Sequence, residues 1–276
     1  MTIREMAFQG LPLDIPVIDA HTHIGPQFCS GWHQKPDYVT VEAQLRLYDD
    51  LGVNAFVGAA HPMCDGMTEL TNATGAEASA MFPERVYNYI YISAYDGIEV
   101  FRQEVKKYAK NPNFLGIKML GGKKSQGDYT DPTYQYACDF ANEAGCPVLC
   151  HTFDNAPPLA QTVALAENRP NMKLLVAHQG GGTEELTRQC AELMKDLPNV
   201  WMELCGSLNN SLGVEEIAEL IGADRMVFGT DAIDLDPRFD FGRVAFCPLS
   251  DEDKKKIFAG NFLKILEGSQ LGRSKV

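Results

Sequence analysis

Residues 16–25 read Pro16-Val17-Ile18-Asp19-Ala20-His21-Thr22-His23-Ile24-Gly25, an apolar run that ends in a His-x-His pair. The pattern predicts a buried strand that delivers two imidazoles at its C-terminal end. Residues i and i+2 of a strand share a face, about 6.5–7 Å apart, so His21 and His23 are placed to grip one ion. A pair of this kind also arises by chance as a hydrogen-bonded strand end, so the rest of the chain must decide.

Downstream, strand-like and helix-like segments alternate. A helical pattern over 41–51 stops at Gly52, and the apolar run 54–60 ends at His61-Pro62. Such continuous apolar runs fit strands covered on both faces. Further strands are expected at 85–93, 114–120, 146–152, 172–178, 200–205 and 226–230. Helices are expected at 73–81, 98–110, 132–144, 157–168, 183–197, 214–221 and 251–266. Eight strands, each followed by a helix, imply parallel pairing and closure into an α/β fold, a (β/α)8 TIM barrel forming a single domain over residues 1–276. An open doubly wound sheet is the alternative, but no Gly-x-Gly-x-x-Gly follows the first strand.

The formal net charge of −13 argues against nucleic acid or an anionic membrane surface as partner. No apolar run approaches the roughly 18–20 residues that cross a bilayer, and Met1–Glu5 lacks the apolar core of a signal peptide. Eight cysteines without a Cys-x-x-Cys read as reduced thiols packed as small hydrophobes. The expectation is a cytoplasmic protein acting on a small molecule.

Six polar residues interrupt or end the apolar strands: His21, His23, Lys118, His151, His178 and Asp231. All fall at C-terminal strand ends, and in a barrel those ends converge on the face that carries the active site. Four of the six histidines lie there, which favours a metal centre over scattered core histidines.

The motifs Ile18-Asp19-Ala20-His21-Thr22-His23, Gly116-Ile117-Lys118, Val148-Leu149-Cys150-His151-Thr152, Leu175-Val176-Ala177-His178-Gln179-Gly180-Gly181 and Gly222–Asp231 span nearly the whole chain in order. With them the chain resembles the amidohydrolase superfamily, in the amidohydrolase-related branch of aminocarboxymuconate-semialdehyde decarboxylase-like enzymes. The resemblance implies that His21, His23 and His151 are zinc ligands, with Asp231 a further ligand that also handles a proton. It makes His178 catalytic or a ligand to a second metal. It makes Lys118 either a carboxylated bridge between two metals or a free ammonium that contacts substrate.

The expectation is one Zn²⁺ with Lys118 unmodified, the alternatives being two ions or another divalent transition metal. Three imidazoles and a carboxylate suit Zn²⁺ with water in the open position. A bound Zn²⁺ lowers the pKa of that water to about 7, and Asp231 is placed to accept its proton.

Substrate contacts are expected from loops on the same face. Trp32, His33 and Lys35 follow the first strand, His61 the second, and Lys123 and Lys124 the fourth. Asp154 and Asn155, residues 207–210 beginning with Ser207, and residues 234–238 ending with Arg238 complete the rim. Basic residues on an acidic protein point to a carboxylate-bearing substrate, the competing reading being a solvated lysine pair. The leading expectation is a zinc-dependent hydrolase of an amide, lactone or ester. The alternatives are a metal-dependent, non-oxidative decarboxylase or hydratase of an unsaturated or aromatic carboxylic acid, and a non-catalytic metal-binding scaffold. The branch resemblance adds a homo-oligomer.

Overall fold

The run that opens the sequence forms strand β1 (Ile18–Ile24), buried along its whole length. A computed structural model describes residues 1–25, 40–122, 127–153, 156–206 and 212–272. Seven more strands follow: β2 (Ala55–Ala60), β3 (Val86–Ile92), β4 (Phe114–Met119), β5 (Pro147–Cys150), β6 (Lys173–Val176), β7 (Val200–Glu203) and β8 (Met226–Val227). They pair in parallel in sequence order. Backbone bonds from Ala20 N to Phe228 O (3.0 Å) and from Asp231 N to His21 O (2.8 Å), with a parallel bridge between Thr22 and Ala232, close the last strand onto the first. The fold is a (β/α)8 TIM barrel, as the strand-helix alternation leads one to expect.

The helices are α1 (Ile3–Phe8), α2 (Val41–Leu51), α3 (Thr68–Met81), α4 (Gly97–Tyr108), α5 (Pro132–Ala144), α6 (Leu159–Ala164), α7 (Glu184–Leu193), α8 (Val214–Ile221), α9 (Pro237–Phe246), α10 (Asp251–Lys255) and α11 (Asn261–Leu266). Helix α3 starts five residues before its apolar pattern does, because its first turns bury Thr68, Thr71 and Asn72 rather than aliphatic side chains. Helices α1 and α9 carry no long apolar period and declare themselves only by their caps. Thr2 and Glu5 form a capping box, and Asp236 caps a helix with Pro at its first position. The expected helix 251–266 is interrupted by a wide turn over Lys256–Gly260, where the Ile257 carbonyl accepts Phe228 N at 3.0 Å and ties the helix to the end of β8.

Ile18, Ala20, Val57, Tyr89, Leu115, Leu149, Leu175 and Val227 pack together inside the barrel, with Phe262 and Ile265 of α11 joining them. A larger apolar layer, including Val17, Phe56, Ile90, Ile117, Val148 and Met202, lies between barrel and helices.

Two irregularities decide where polar side chains point. On β1 Asp19 pairs with Phe56 and Thr22 with Gly58, so three steps of β1 match two of β2, which is a β-bulge. Before it Ala20 belongs to the barrel interior and after it Ile24 belongs to the outer layer, so His21 and His23 face inward. On β4 the register slips by one residue at Gly116, and a Cβ there would collide with the Pro147 carbonyl. Lys118 follows that slip and is wholly buried.

Candidate metal centre

The C-terminal strand ends gather the expected residues into one cluster. His21 and His23 come from β1 and Lys118 from β4; His151 follows β5, His178 follows β6 and Asp231 follows β8. The imidazoles form a chain, with ring centroids 5.4 Å apart for His21 and His23, 5.1 Å for His21 and His178, and 4.9 Å for His178 and His151. The histidines and Lys118 are buried, and the Asp231 side chain is 16% exposed, which gives the cluster an open side.

Hydrogen bonds orient the rings. His21 Nδ1 lies 2.9 Å from Glu203 Oε2, and His23 Nδ1 lies 3.1 Å from the Ala59 carbonyl. Each acceptor requires a hydrogen on Nδ1, so a neutral ring presents a bare lone pair at Nε2. His23 Nε2 lies 2.9 Å from Asp231 Oδ1, and His21 Nε2 lies 3.4 Å from the same oxygen. A lone pair and a carboxylate oxygen repel at 2.9 Å unless a proton or a cation sits between them, so the donor set suits a bound cation.

His21, His178, Cys205 and Asp231 each offer a donor atom, and these atoms all lie within 4.8 Å of one another. Imidazole, thiol and carboxylate donors together accept a divalent transition metal. His151 stands one step back, its Nδ1 3.1 Å from His178 Nε2.

Lys118 Nζ donates to His21 Nε2 at 2.7 Å, so its ammonium and a metal compete for one lone pair. Burial lowers the Lys118 pKa, and the Asp231 charge opposes this. Burial, with help from the Lys118 charge, holds His21 well below the usual imidazole range. Burial also pushes His178 down to about 3, so it is a neutral ring near pH 7. Burial would raise Asp231, but its close contact with His23 and the neighbouring imidazoles outweigh burial and hold its carboxyl well below the usual carboxylate range. The cluster therefore sets the Asp231 carboxylate beside His21 and His178 held in their uncharged forms.

His178 (φ 52°) and Asp231 (φ 57°) both adopt left-handed backbone. A residue other than glycine pays of order 1–3 kcal/mol for this, a cost that clusters at functional sites. The turn brings each side chain back toward the cluster.

Other expected residues fall elsewhere. His61 Nε2 lies 2.8 Å from Asp234 Oδ1, its Nδ1 faces the Gly25 carbonyl, and its ring lies 5.2 Å from His23. Both nitrogens are thus engaged by protein, and His61 ties the loop after β1 to the loop after β8. Arg238 is exposed at the start of α9 and forks onto Asp236, with Nη2 2.5 Å from Oδ2. Trp32, His33, Lys35, Lys123, Lys124, Asp154, Asn155 and Ser207 lie outside the described residues. So does residue 29, one of the eight cysteines. The other seven are buried and none forms a disulfide.

The strand-end pattern that singled out the other residues includes neither Cys205 nor Glu203. Both sit at the end of Val200-Trp201-Met202-Glu203-Leu204-Cys205, where an acid in an otherwise apolar strand is the same signal that singled out Lys118.

Residues 18–267 match a protein-family model described as Amidohydrolase. No curated protein matches the chain significantly. Among solved structures the chain is similar to 2,6-dihydroxybenzoate decarboxylase from Rhizobium, with TM-score 0.72 and 13% identity, covering 92% of this chain and 99% of that one. It is similar to a dihydroxybenzoic acid decarboxylase from Polaromonas sp. JS666 with bound manganese and the inhibitor 2-nitroresorcinol, with TM-score 0.71 and 15% identity, covering 92% and 97%. A probable 2-pyrone-4,6-dicarboxylic acid hydrolase from Acinetobacter baumannii with bound citric acid gives TM-score 0.66 and 14% identity, covering 91% and 99%.

Proposed function

The chain belongs to the amidohydrolase family, and from that premise we propose that it is a metal-dependent, non-oxidative decarboxylase of an aromatic or unsaturated carboxylic acid. The observation that carries this reading is the buried ammonium of Lys118 beside an imidazole and carboxylate cluster, which makes an anion-binding centre inside a protein of net charge −13. The Rhizobium and Polaromonas decarboxylases, which share the fold, support the reaction class, and the bound manganese of the latter supports the metal.

His21, His23 and Asp231 would hold the metal, with His178, His151 and Cys205 the further donors beside them. A divalent ion held there would act as a Lewis acid on a substrate oxygen. Zinc and manganese both fit imidazole and carboxylate donors, and a thiol among them favours zinc. Lys118 would draw in the substrate carboxylate and hold it against the cluster. The bond from the substrate carbon to the carboxyl carbon then breaks, its electron pair stays on the substrate carbon, and CO₂ leaves. Asp231 is placed to take a proton from solvent and deliver it to that carbon, with neutral His178 able to relay it. The proposal extends to a cytoplasmic homo-oligomer with no nucleic-acid or membrane partner, in keeping with the acidic charge; among the described residues no helix is long and apolar enough to cross a membrane.

Hydrolysis of an amide, lactone or ester is the second reading, favoured by the ionised Asp231 as base and by the Acinetobacter hydrolase of like fold. One experiment separates the two. The metal-loaded protein is incubated in deuterated buffer with a panel of hydroxybenzoic and unsaturated dicarboxylic acids, and in parallel with lactones and esters. Release of CO₂ without oxygen uptake, with deuterium at the vacated carbon, is the expected result. Acid release from lactones or esters with no CO₂ from any carboxylic acid would replace decarboxylation by hydrolysis.

A further inference from the structure

We infer that Glu203 is a positioning residue that fixes which nitrogen of His21 carries the proton, and so keeps His21 competent to bind the metal. The inference rests on the metal centre proposed above and adds to it a residue that neither the strand-end pattern nor the expected ligand set contains.

Four donors converge on the Glu203 carboxylate. Its Oε2 accepts from His21 Nδ1 at 2.9 Å, from Cys205 Sγ at 2.9 Å and from His178 N at 3.3 Å, and its Oε1 accepts from Cys205 N at 2.6 Å. All four contacts use the carboxylate as an acceptor, and they oppose the burial that raises its pKa. A wholly buried acid is costly, so its partners must justify it.

The need for Glu203 follows from what sits on the other side of the His21 ring. Asp231 Oδ1 lies 3.4 Å from His21 Nε2 and attracts the ring's single proton to that nitrogen. A proton on Nε2 would satisfy Asp231 and remove His21 as a ligand. Glu203, at 2.9 Å, makes the shorter claim and, with Lys118 Nζ donating to Nε2 at 2.7 Å from the other side, holds the proton on Nδ1. The two carboxylates thus compete for one tautomer, and the distances favour the one that leaves Nε2 bare. A carboxylate on the far nitrogen also raises the basicity of the ligating one.

Space for this arrangement is built into a third strand end. Gly229, just past β8, lies so close that a Cβ would strike Glu203 Oε1 and crowd His21 Cβ. Glu203 also reaches His178 twice, through the His178 backbone N–H and through Cys205, whose sulfur lies 3.2 Å from Nδ1 of both His21 and His178. One acid therefore orients residues from β1, β6 and β7.

Glu203→Gln tests the assignment, because the amide keeps the shape and can turn its NH₂ toward His21 Nδ1. Nδ1 then loses the acceptor that holds its proton, and Asp231 draws the proton toward Nε2 against the Lys118 ammonium there. In metal-free protein with ¹⁵N-labelled histidine, NMR should find His21 protonated at Nδ1 in the parent and a mixture of Nδ1 and Nε2 tautomers in the variant. Competition with a chromophoric chelator should show Zn²⁺ or Mn²⁺ affinity falling about 10–100-fold, with the thermal midpoint of the metal-free protein little changed. Gly229→Ala, which retains Glu203 but drives a methyl against Oε1, should lose affinity in the same direction; it carries the test alone where Glu203→Gln does not fold. Unchanged metal affinity and an unmoved His21 proton, in a parent that binds metal, would overturn the role of Glu203 and leave the metal centre standing. Failure of the parent itself to bind either ion would remove the metal centre and this inference with it.

Discussion

Asp231 and Lys118 set opposite charges against one face of His21, and substitution separates what each does. Asp231 has φ 57°, a conformation that Asn tolerates almost as well as glycine, so Asp231→Asn changes the charge without breaking the backbone. Decarboxylation should fall by about 10²–10⁴, the range for loss of a positioned proton carrier, with an unchanged thermal midpoint. Lys118→Met behaves differently. It removes a buried ammonium whose desolvation already lowers its pKa, and puts an apolar chain of similar length in its place. Turnover should be lost while the thermal midpoint holds or rises, because replacing a buried charge by a well-packed apolar group is often neutral or stabilising. A large fall in that midpoint would instead mark Lys118 as a structural group.

At the scale of the element, Asp19 shows what locks the end of β1. Thr230 Oγ1 and Tyr48 OH donate to its Oδ2, and the backbone N–H groups of His21 and Thr230 donate to its Oδ1, so one carboxylate joins β1, β8 and α2 beside the bulge. Burial outweighs these donors and raises it from an ordinary 3.8 to about 7. The folded protein therefore holds this proton more tightly than the unfolded chain does. Its contribution to stability is complete below about pH 4, declines as pH rises toward about 7, and is constant above that. Asp19→Asn should flatten this slope, so the loss in urea midpoint between about pH 5 and pH 8 should be smaller in the variant than in the parent.

The strand ends were legible because the principle that reads them is local: apolar runs of strand length closed by His, Lys or Asp. The bulge at Asp19–Thr22 was not, since the extra residue is visible only against the register of β2. The tautomer of His21 was not legible either, because it depends on Glu203, 182 residues away in sequence. Cys205 escaped for the opposite reason: a cysteine after an apolar strand looks like one more small core residue, and only its sulfur 3.2 Å from two imidazoles shows otherwise.

The whole molecule presents an anionic substrate with conflicting fields. Its net charge is −13, whereas in the proposed function the attraction would come from Lys118 and a divalent ion held at the C-terminal strand ends. Chelation tests the second part. Stripped protein should lose turnover and melt at a lower temperature, and returning Zn²⁺ or Mn²⁺ should restore both, since a ligand held only by the folded state stabilises it by mass action. Ionic strength tests the first. The Debye length is about 30 Å at 0.01 M salt and about 8 Å at 0.15 M, so added salt screens repulsion from the distant acidic surface more than attraction inside the buried cluster. In an enzyme steered by its overall field salt slows association of an oppositely charged ligand. Here kcat/KM for a carboxylate substrate should rise as salt increases over that range, while kcat, set by the buried cluster, stays level. A fall in kcat/KM would mean that the field at the mouth of the barrel is positive despite the acidic whole, and would move the source of attraction from Lys118 outward to the loops around it.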